Sequence, residues 1–179
     1  MLTRGVFNWN ECKSDFSEKI EVKEFPGIGY YEGQLTEYQN KGKYLDTQGE
    51  ERFDLNPSGL MRHGLGVMVW LDGSIYQGEW LNNEHHGRGR IIHPDGDIYD
   101  GEWKEGKANG KGDYYHSDGS YYSGDWKMNV QDGIGYETWL DGAFFSGIYV
   151  NGKKEGEGNF TWGNGSYYKG NFKMNMLEG

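Results

Sequence analysis

The side chains of this 179-residue chain that could do chemistry are five histidines, one cysteine, a set of evenly spaced acids and a Gly-Lys-Gly segment. Glu84-His85-His86 has the look of a metal-ligand run, with His63, His93 and His116 elsewhere. A zinc site needs three or four converging ligands, mostly His or Cys. Here position explains most of the set. His63 and His86 stand just before the first glycine of a Gly-x-Gly pair, where Asn109, Asp132 and Glu155 stand in other copies. His93 and His116 occupy the repeat position that holds Trp70, Trp139 and Trp162 in other copies. No metal and no cofactor is therefore expected. The acids Glu79, Glu102 and Asp125 recur at equal spacing instead of pairing in a cleft, as acid–base catalysis requires. They are expected to form a solvated ladder that attracts basic partners. Gly110-Lys111-Gly112 lacks the preceding strand, following helix and Lys-Ser/Thr of a phosphate loop. Cys12 has no basic or helical context that would lower its pKa, so it reads as an inert thiol. No catalytic residue is expected, and the chain is not expected to be an enzyme.

The elements that position these residues are repeats, which are to be sought before anything else. Tyr76-Gln77-Gly78-Glu79-Trp80 recurs at 23-residue steps as Tyr99 to Trp103, Tyr122 to Trp126, Phe145 to Tyr149 and Tyr168 to Phe172. Gly-x-Gly pairs keep the same period at Gly64/Gly66, Gly87/Gly89, Gly110/Gly112, Gly133/Gly135 and Gly156/Gly158. So do the turn pairs Asp72-Gly73, Asp95-Gly96, Asp118-Gly119, Asp141-Gly142 and Asn164-Gly165. Asp-Gly between short runs rich in β-branched and aromatic residues is a strong hairpin signal, here expected as a type I′ turn. The expected hairpins span 64–80, 87–103, 110–126, 133–149 and 156–172, joined by short polar links. A lone hairpin is marginal in water, so each must stack on its neighbour. The fold expected is all-β, an elongated single-layer solenoid of antiparallel hairpins.

Alternation along a strand puts Tyr99, Gly101 and Trp103 on one face. Down the stack this makes three ring columns. One holds Tyr76, Tyr99, Tyr122, Phe145 and Tyr168; the next holds Trp80, Trp103, Trp126, Tyr149 and Phe172. The third holds Trp70, His93, His116, Trp139 and Trp162. Most of these rings should form the core, and those left exposed should grip a partner, since Trp and Tyr tend to carry interface energy. The candidate partner-binding residues are Trp70, Trp80, Trp103, Trp126, Trp139, Trp162, Tyr76, Tyr99 and Tyr122. Which column faces the partner is open at this point.

Composition narrows the function. Glycine is 31 of 179, well above the usual fraction of about 7%, while proline is only 3 and aromatics are 16%. Tight turns and buried rings explain that balance; disorder does not. The formal net charge of −10 argues against nucleic acid, which needs clustered Lys and Arg. It also disfavours anionic membranes, and it favours a basic partner. Met1 to Asn10 lacks a basic start followed by an apolar run, and no stretch reaches the length of a membrane helix. A cytoplasmic location is expected.

Tyr-x-Gly-x-Trp, Gly-x-Gly and Asp-Gly in register at this period resemble the MORN (membrane occupation and recognition nexus) repeat. The resemblance covers residues 61–179. Residues 27–60 read as degenerate copies: Tyr31-Glu32-Gly33 and Lys41-Gly42-Lys43 fit, Thr47-Gln48-Gly49 comes early, and Pro57 argues against a central strand. Residues 1–26 match nothing and read as an N-terminal cap. Lys173 to Gly179 supplies only a link and the first glycine of another unit, so the chain either is a fragment or stops after a finished hairpin. The resemblance implies a non-catalytic scaffold or adaptor that binds a helix or peptide, basic or amphipathic, along a groove, in a cytoskeletal or ciliary assembly. Its alternatives are a phosphoinositide-binding membrane tether, or the regulatory region of a larger enzyme such as a phosphatidylinositol-4-phosphate 5-kinase. A homodimer is open as well.

Overall fold

The computed structural model describes residues 7–12, 20–25, 28–37, 44–45, 51–52 and 60–178. It divides into two compact units, residues 1–90 with 104–106 and residues 91–103 with 107–179. Among the described residues there is no α-helix, only a 3-10 turn at Trp9–Glu11.

The first unit holds β1 (Ile20–Phe25), β2 (Gly29–Glu37), β5 (Leu60–Trp70), β6 (Ile75–Leu81) and most of β7 (Glu84–Ile92), adjacent in that order. Between β2 and β5, β3 (Tyr44–Leu45) and β4 (Glu51–Arg52) form a separate two-stranded pair. The second unit holds β8 (Ile98–Lys104), β9 (Lys107–Tyr115), β10 (Tyr121–Lys127) and β11 (Val130–Thr138). It continues through β12 (Phe144–Val150), β13 (Lys153–Thr161), β14 (Tyr167–Lys173) and β15 (Met176–Glu178), in chain order. The strands pair antiparallel, for example with Gly135 opposite Gly147 and Gly158 opposite Gly170. The expected all-β architecture of successive hairpins is what each unit contains.

The turns correct one expectation. The Asp-Gly pairs are not type I′. Gly73 has φ +91 while Asp72 is not among the residues with positive φ. The loop is longer: Trp70 N–H donates to Ser74 O and Gly73 N–H to Trp70 O. The Asp72 carboxylate accepts the Ser74 N–H at 2.8 Å, and Asp118, Asp141 and Asn164 do the same for Ser120, Ala143 and Ser166. Aspartate is chosen as an acceptor, not for a left-handed backbone.

The type I′ signature lies in the links, where both central residues have positive φ. Met128 and Asn129 have φ of 52° and 69°, between Lys127 and Val130, which face each other. Asn82-Asn83, Glu105-Gly106, Asn151-Gly152 and Met174-Asn175 repeat that geometry. The asparagines of these links also bond to strand backbone. Asn129 N–H donates to Ala108 O, and its side-chain oxygen accepts the Ala108 N–H at 2.7 Å. Asn83 does this with Arg62, and Asn175 with Lys154. Each asparagine thus ties its link to the opening residues of an earlier strand: Asn129 to β9, Asn83 to β5 and Asn175 to β13.

At the upstream end, Tyr31 is fully buried on β2, opposite Lys23 of β1. β2 pairs directly with β5, and β3 and β4 lie outside that sheet. Residues 41–43, 47–49 and Pro57, on which part of the degenerate-repeat reading rests, lie outside the described residues. The Trp9–Glu11 turn lies against β7: Arg88 Nε donates to Glu11 Oε2 at 2.7 Å, and the buried Phe7 ring lies 6.0 Å from the Arg90 guanidinium carbon.

Candidate functional site

The ring columns are built around a slot made by two glycines. The Tyr99 ring lies over its own Gly101 and over Gly112 on the next strand, so closely that a Cβ at either would overlap it. Tyr122 fills the slot of Gly124 and Gly135, and Phe145 that of Gly147 and Gly158. Each ring thus fills the gap at the glycine two residues after it and at its partner glycine on the next strand.

The next column wedges between repeats. Trp126 meets Tyr122 of its own repeat and Tyr99 of the previous one edge-on, each at 5.2 Å. Tyr149 sits likewise between Phe145 and Tyr122, and Phe172 between Tyr168 and Phe145. In the first unit Trp80 sits between Tyr76 and Tyr31. Edge-to-face contacts of this kind add about 0.5–1.5 kcal/mol each beyond the area they bury. The indole N–H groups of Trp80 and Trp126 donate to the carbonyls of Gly66 and Gly112.

A bulge at the first glycine of a Gly-x-Gly pair explains the acids. In β10–β11 the pairing jumps from Gly124/Gly135 to Trp126/Gln131, which strands the Asp125 carbonyl and the Ile134 N–H. The Tyr122 hydroxyl donates to that carbonyl at 3.0 Å, and the Asp125 carboxylate accepts that N–H at 2.8 Å. Tyr76 and Glu79 serve Glu79 O and Arg88 N–H in the same way, and Tyr31 and Gln34 serve Gln34 O and Leu65 N–H. The expected solvated ladder is therefore corrected at two of its three acids, while Glu102 is exposed as expected. Glu79 is buried, Asp125 is half-buried, and both satisfy backbone groups that would be costly to leave unpaired. Burial raises the Asp125 pKa, but hydrogen bonds from Lys111 and Ile134 outweigh it and leave the net shift downward. Where Phe145 and Ile148 replace the tyrosine and the acid, the bulge changes register and Ile148 faces Glu155.

The named candidates separate by accessibility. Tyr76, Tyr99, Tyr122, Trp80 and Trp103 are all buried; their rings are spent on glycine slots and on neighbouring rings. Trp70, Trp126 and Trp139 are half-buried, and Trp162 is 38% exposed. In the second unit Tyr114, Trp126, Trp139, Phe160 and Tyr168 pack on the outside of the core formed by Tyr122, Phe145, Tyr149 and Phe172. Trp139 and Trp162 flank Phe160 at 5.4 and 4.8 Å, a continuous strip of three rings. Tyr114 and Phe160 were not among the sequence candidates. Their repeat position holds Met68, Ile91 and Glu137 elsewhere, so no periodic ring marks it.

Cations sit on this face. Lys154 Nζ lies 4.8 Å from the Trp139 ring, 5.0 Å from Phe145 and 5.2 Å from Tyr149, and 2.6 Å from Glu137 Oε2. In the first unit the Arg62 guanidinium lies 4.4 Å from Trp80. His85 stacks on Tyr76 at 3.8 Å, and burial, helped by Arg62, holds its pKa down to about 3. It is therefore neutral at physiological pH. Among the described residues no group of three or more His, Cys, Asp or Glu could hold a metal ion, and no helix is long and apolar enough to cross a membrane.

This arrangement defines a class: a hairpin-repeat protein whose rings close a thin core and leave one ringed strip open. The MORN repeat family matches residues 61–75, 76–98, 99–121, 122–144 and 145–167 without a gap, more than half of the chain. The chain belongs to the MORN repeat family. A comparison with curated proteins found no match.

Proposed function

We propose that the chain is a non-catalytic scaffold or adaptor that binds a protein partner, a helix or an extended peptide, along the ringed face of the second unit. The observation that carries this reading is the Trp139, Phe160, Trp162 strip, left half-open while most rings of the two inner columns are buried. A ligand laid across successive strands would meet a ring in each repeat, and aromatic anchors tend to dominate interface energy. The net charge of −10 favours a basic or amphipathic partner. A cytoplasmic setting in a cytoskeletal or ciliary assembly rests on family analogy alone.

The test is photo-crosslinking from Tyr168 in cells, compared with Trp139→Ala, Trp162→Ala and, on the opposite face, Ile134→Ser. A specific partner should be lost in the two tryptophan variants and kept in Ile134→Ser, with all three folded by circular dichroism. Equal capture by all variants would remove the reading.

A second reading, an anionic-membrane tether, draws on the links of the second unit. There Lys127, Lys153 and Lys173 stand exposed beside exposed Met128, Val130, Val150, Met174 and Met176. Each lysine near an anionic surface contributes about 1 kcal/mol. Sedimentation with phosphoinositide vesicles at physiological salt tests it: no binding, or binding unchanged by reversing these three charges, rejects it.

A further inference from the structure

We propose that Tyr114, His116 and Trp126, backed by Asp97, form a receptor for a lysine or arginine side chain of the bound partner. This rests on the partner-binding reading above and names the chemistry the face selects.

The protein carries its own template one repeat further along. There the Lys154 ammonium lies against Trp139, Phe145 and Tyr149 and pairs with Glu137. Lys154 stands opposite Tyr149 in the β12–β13 register. One period earlier, Gln131 stands opposite Trp126 in the β10–β11 register. The rings that correspond to Trp139, Phe145 and Tyr149 are His116, Tyr122 and Trp126, and Tyr114 takes the place of Glu137. The ring wall is thus kept, but the residue opposite Trp126 carries a neutral amide where the next repeat supplies an ammonium.

The carboxylate is kept too, from a different direction. Asp97 Oδ2 accepts the Tyr114 hydroxyl at 2.8 Å and lies 3.2 Å from His116 Nδ1, while Oδ1 accepts the Ser117 N–H at 2.8 Å. Burial alone would raise the Asp97 pKa. The hydrogen bonds from Ser117 and Tyr114 hold it low, so the group is ionised at neutral pH. A phenol that donates to a carboxylate has a more electron-rich ring, and an electron-rich ring binds a cation better. Asp95 and Asp118 add negative charge nearby, since both act on this cluster.

The wall is rigid and reachable. Trp126 is fixed by its indole N–H to Gly112 O at 3.0 Å, and Tyr114 lies 6.0 Å from Trp126 and 4.6 Å from His116. The His116 side chain is 44% exposed. A long aliphatic stem from a partner can lie along these rings while its charged head reaches the Asp97 side.

The test uses the whole chain and three probes: the N-acetyl methylamides of lysine, arginine and norleucine. The readout is the indole N–H resonance of each tryptophan. Lysine, arginine or both should shift Trp126 saturably and norleucine should not; comparing the two cations separates ammonium from guanidinium preference. Asp97→Asn should weaken the response about two- to fivefold, the size of a partly exposed ion pair. Gln131→Lys should abolish it, because the new ammonium takes the position that Lys154 holds in its own repeat. Lys154→Gln should bring a new response at Trp139. A Trp126 response no larger than that of buried Trp80, or one unchanged by Gln131→Lys, overturns the inference. If the tryptophan variants above abolish partner capture while Gln131→Lys leaves it intact, the scaffold reading stands and this one falls.

Discussion

At the scale of the residue, the tyrosine of Tyr-x-Gly does two jobs. Its ring fills a slot that only paired glycines leave, and its hydroxyl satisfies a carbonyl freed by the bulge. The two can be separated. Tyr122→Phe keeps the ring and loses the bond to Asp125 O, and should destabilise by about 1 kcal/mol. Tyr122→Ala also empties the slot and should cost about 3–5 kcal/mol. Urea denaturation followed by tryptophan fluorescence measures both. His85 makes a second prediction, on acid sensitivity. Its folded pKa of about 3 lies below the unfolded value of about 6.5. The unfolded chain therefore binds the proton first as pH falls. The stability His85 contributes is complete above about 6.5 and is lost progressively on the way down to about 3. His85→Phe keeps a ring on Tyr76 without the titration. Relative to it, the native chain should lose about 2 kcal/mol across that window, a modest figure because His85 is not wholly sealed. Equal acid sensitivity in the two proteins would contradict this.

At the scale of the element, the links are the strained parts. Met128 and Met174 adopt φ of 52° and 50°, where an L-residue with a bulky side chain costs about 1–2 kcal/mol. Asparagine tolerates this region, as Asn82 and Asn151 already do in the same position. Met128 is 49% exposed, so little packing is lost on replacing it. Met128→Asn should therefore stabilise the chain by about 0.5–1 kcal/mol, read as a raised melting temperature. The same substitution has a functional reading. If the exposed methionines of the links serve the membrane, Met128→Asn lowers vesicle binding while raising stability; the scaffold reading leaves partner capture unchanged.

At the scale of the molecule, charge sets how partners arrive. A net charge of −10 draws in a basic partner over distances longer than any contact. Association should slow by about tenfold or more between about 50 and 300 mM salt, with a much smaller change in dissociation. Stopped-flow mixing with the identified partner measures it. A salt-independent rate would show that the ringed strip acts without steering. Apart from charge, the two units share one method of construction. Each buries its tyrosine column with few aliphatic side chains, which is how so thin a layer obtains a core.

The 23-residue period, the hairpins, the family and the ring columns were legible from residue types, because a repeated unit must solve the same packing problem each time. The pairing of Tyr-x-Gly with Gly-x-Gly was visible as a pattern. That one ring fills both glycine gaps was not, since the two glycines meet only after the strands register. Asp-Gly was read as the I′ turn because local signals do not say how many residues a loop will use. Ladder bonding closed a longer loop there with a single positive φ at its glycine, and the adjacent pairs of positive φ fall in the links. The acids looked like solvent ladder because alternation assigns a face but not a bulge, and it is the bulge that gives Glu79 and Asp125 a backbone N–H to accept. Sequence alone determined which rings exist and how often. Only the tertiary structure decided that Tyr76, Trp80, Tyr99, Trp103 and Tyr122 are enclosed while Trp139 and Trp162 keep a free face. Exposure is a property of what neighbouring strands bring alongside, and no single repeat contains that information.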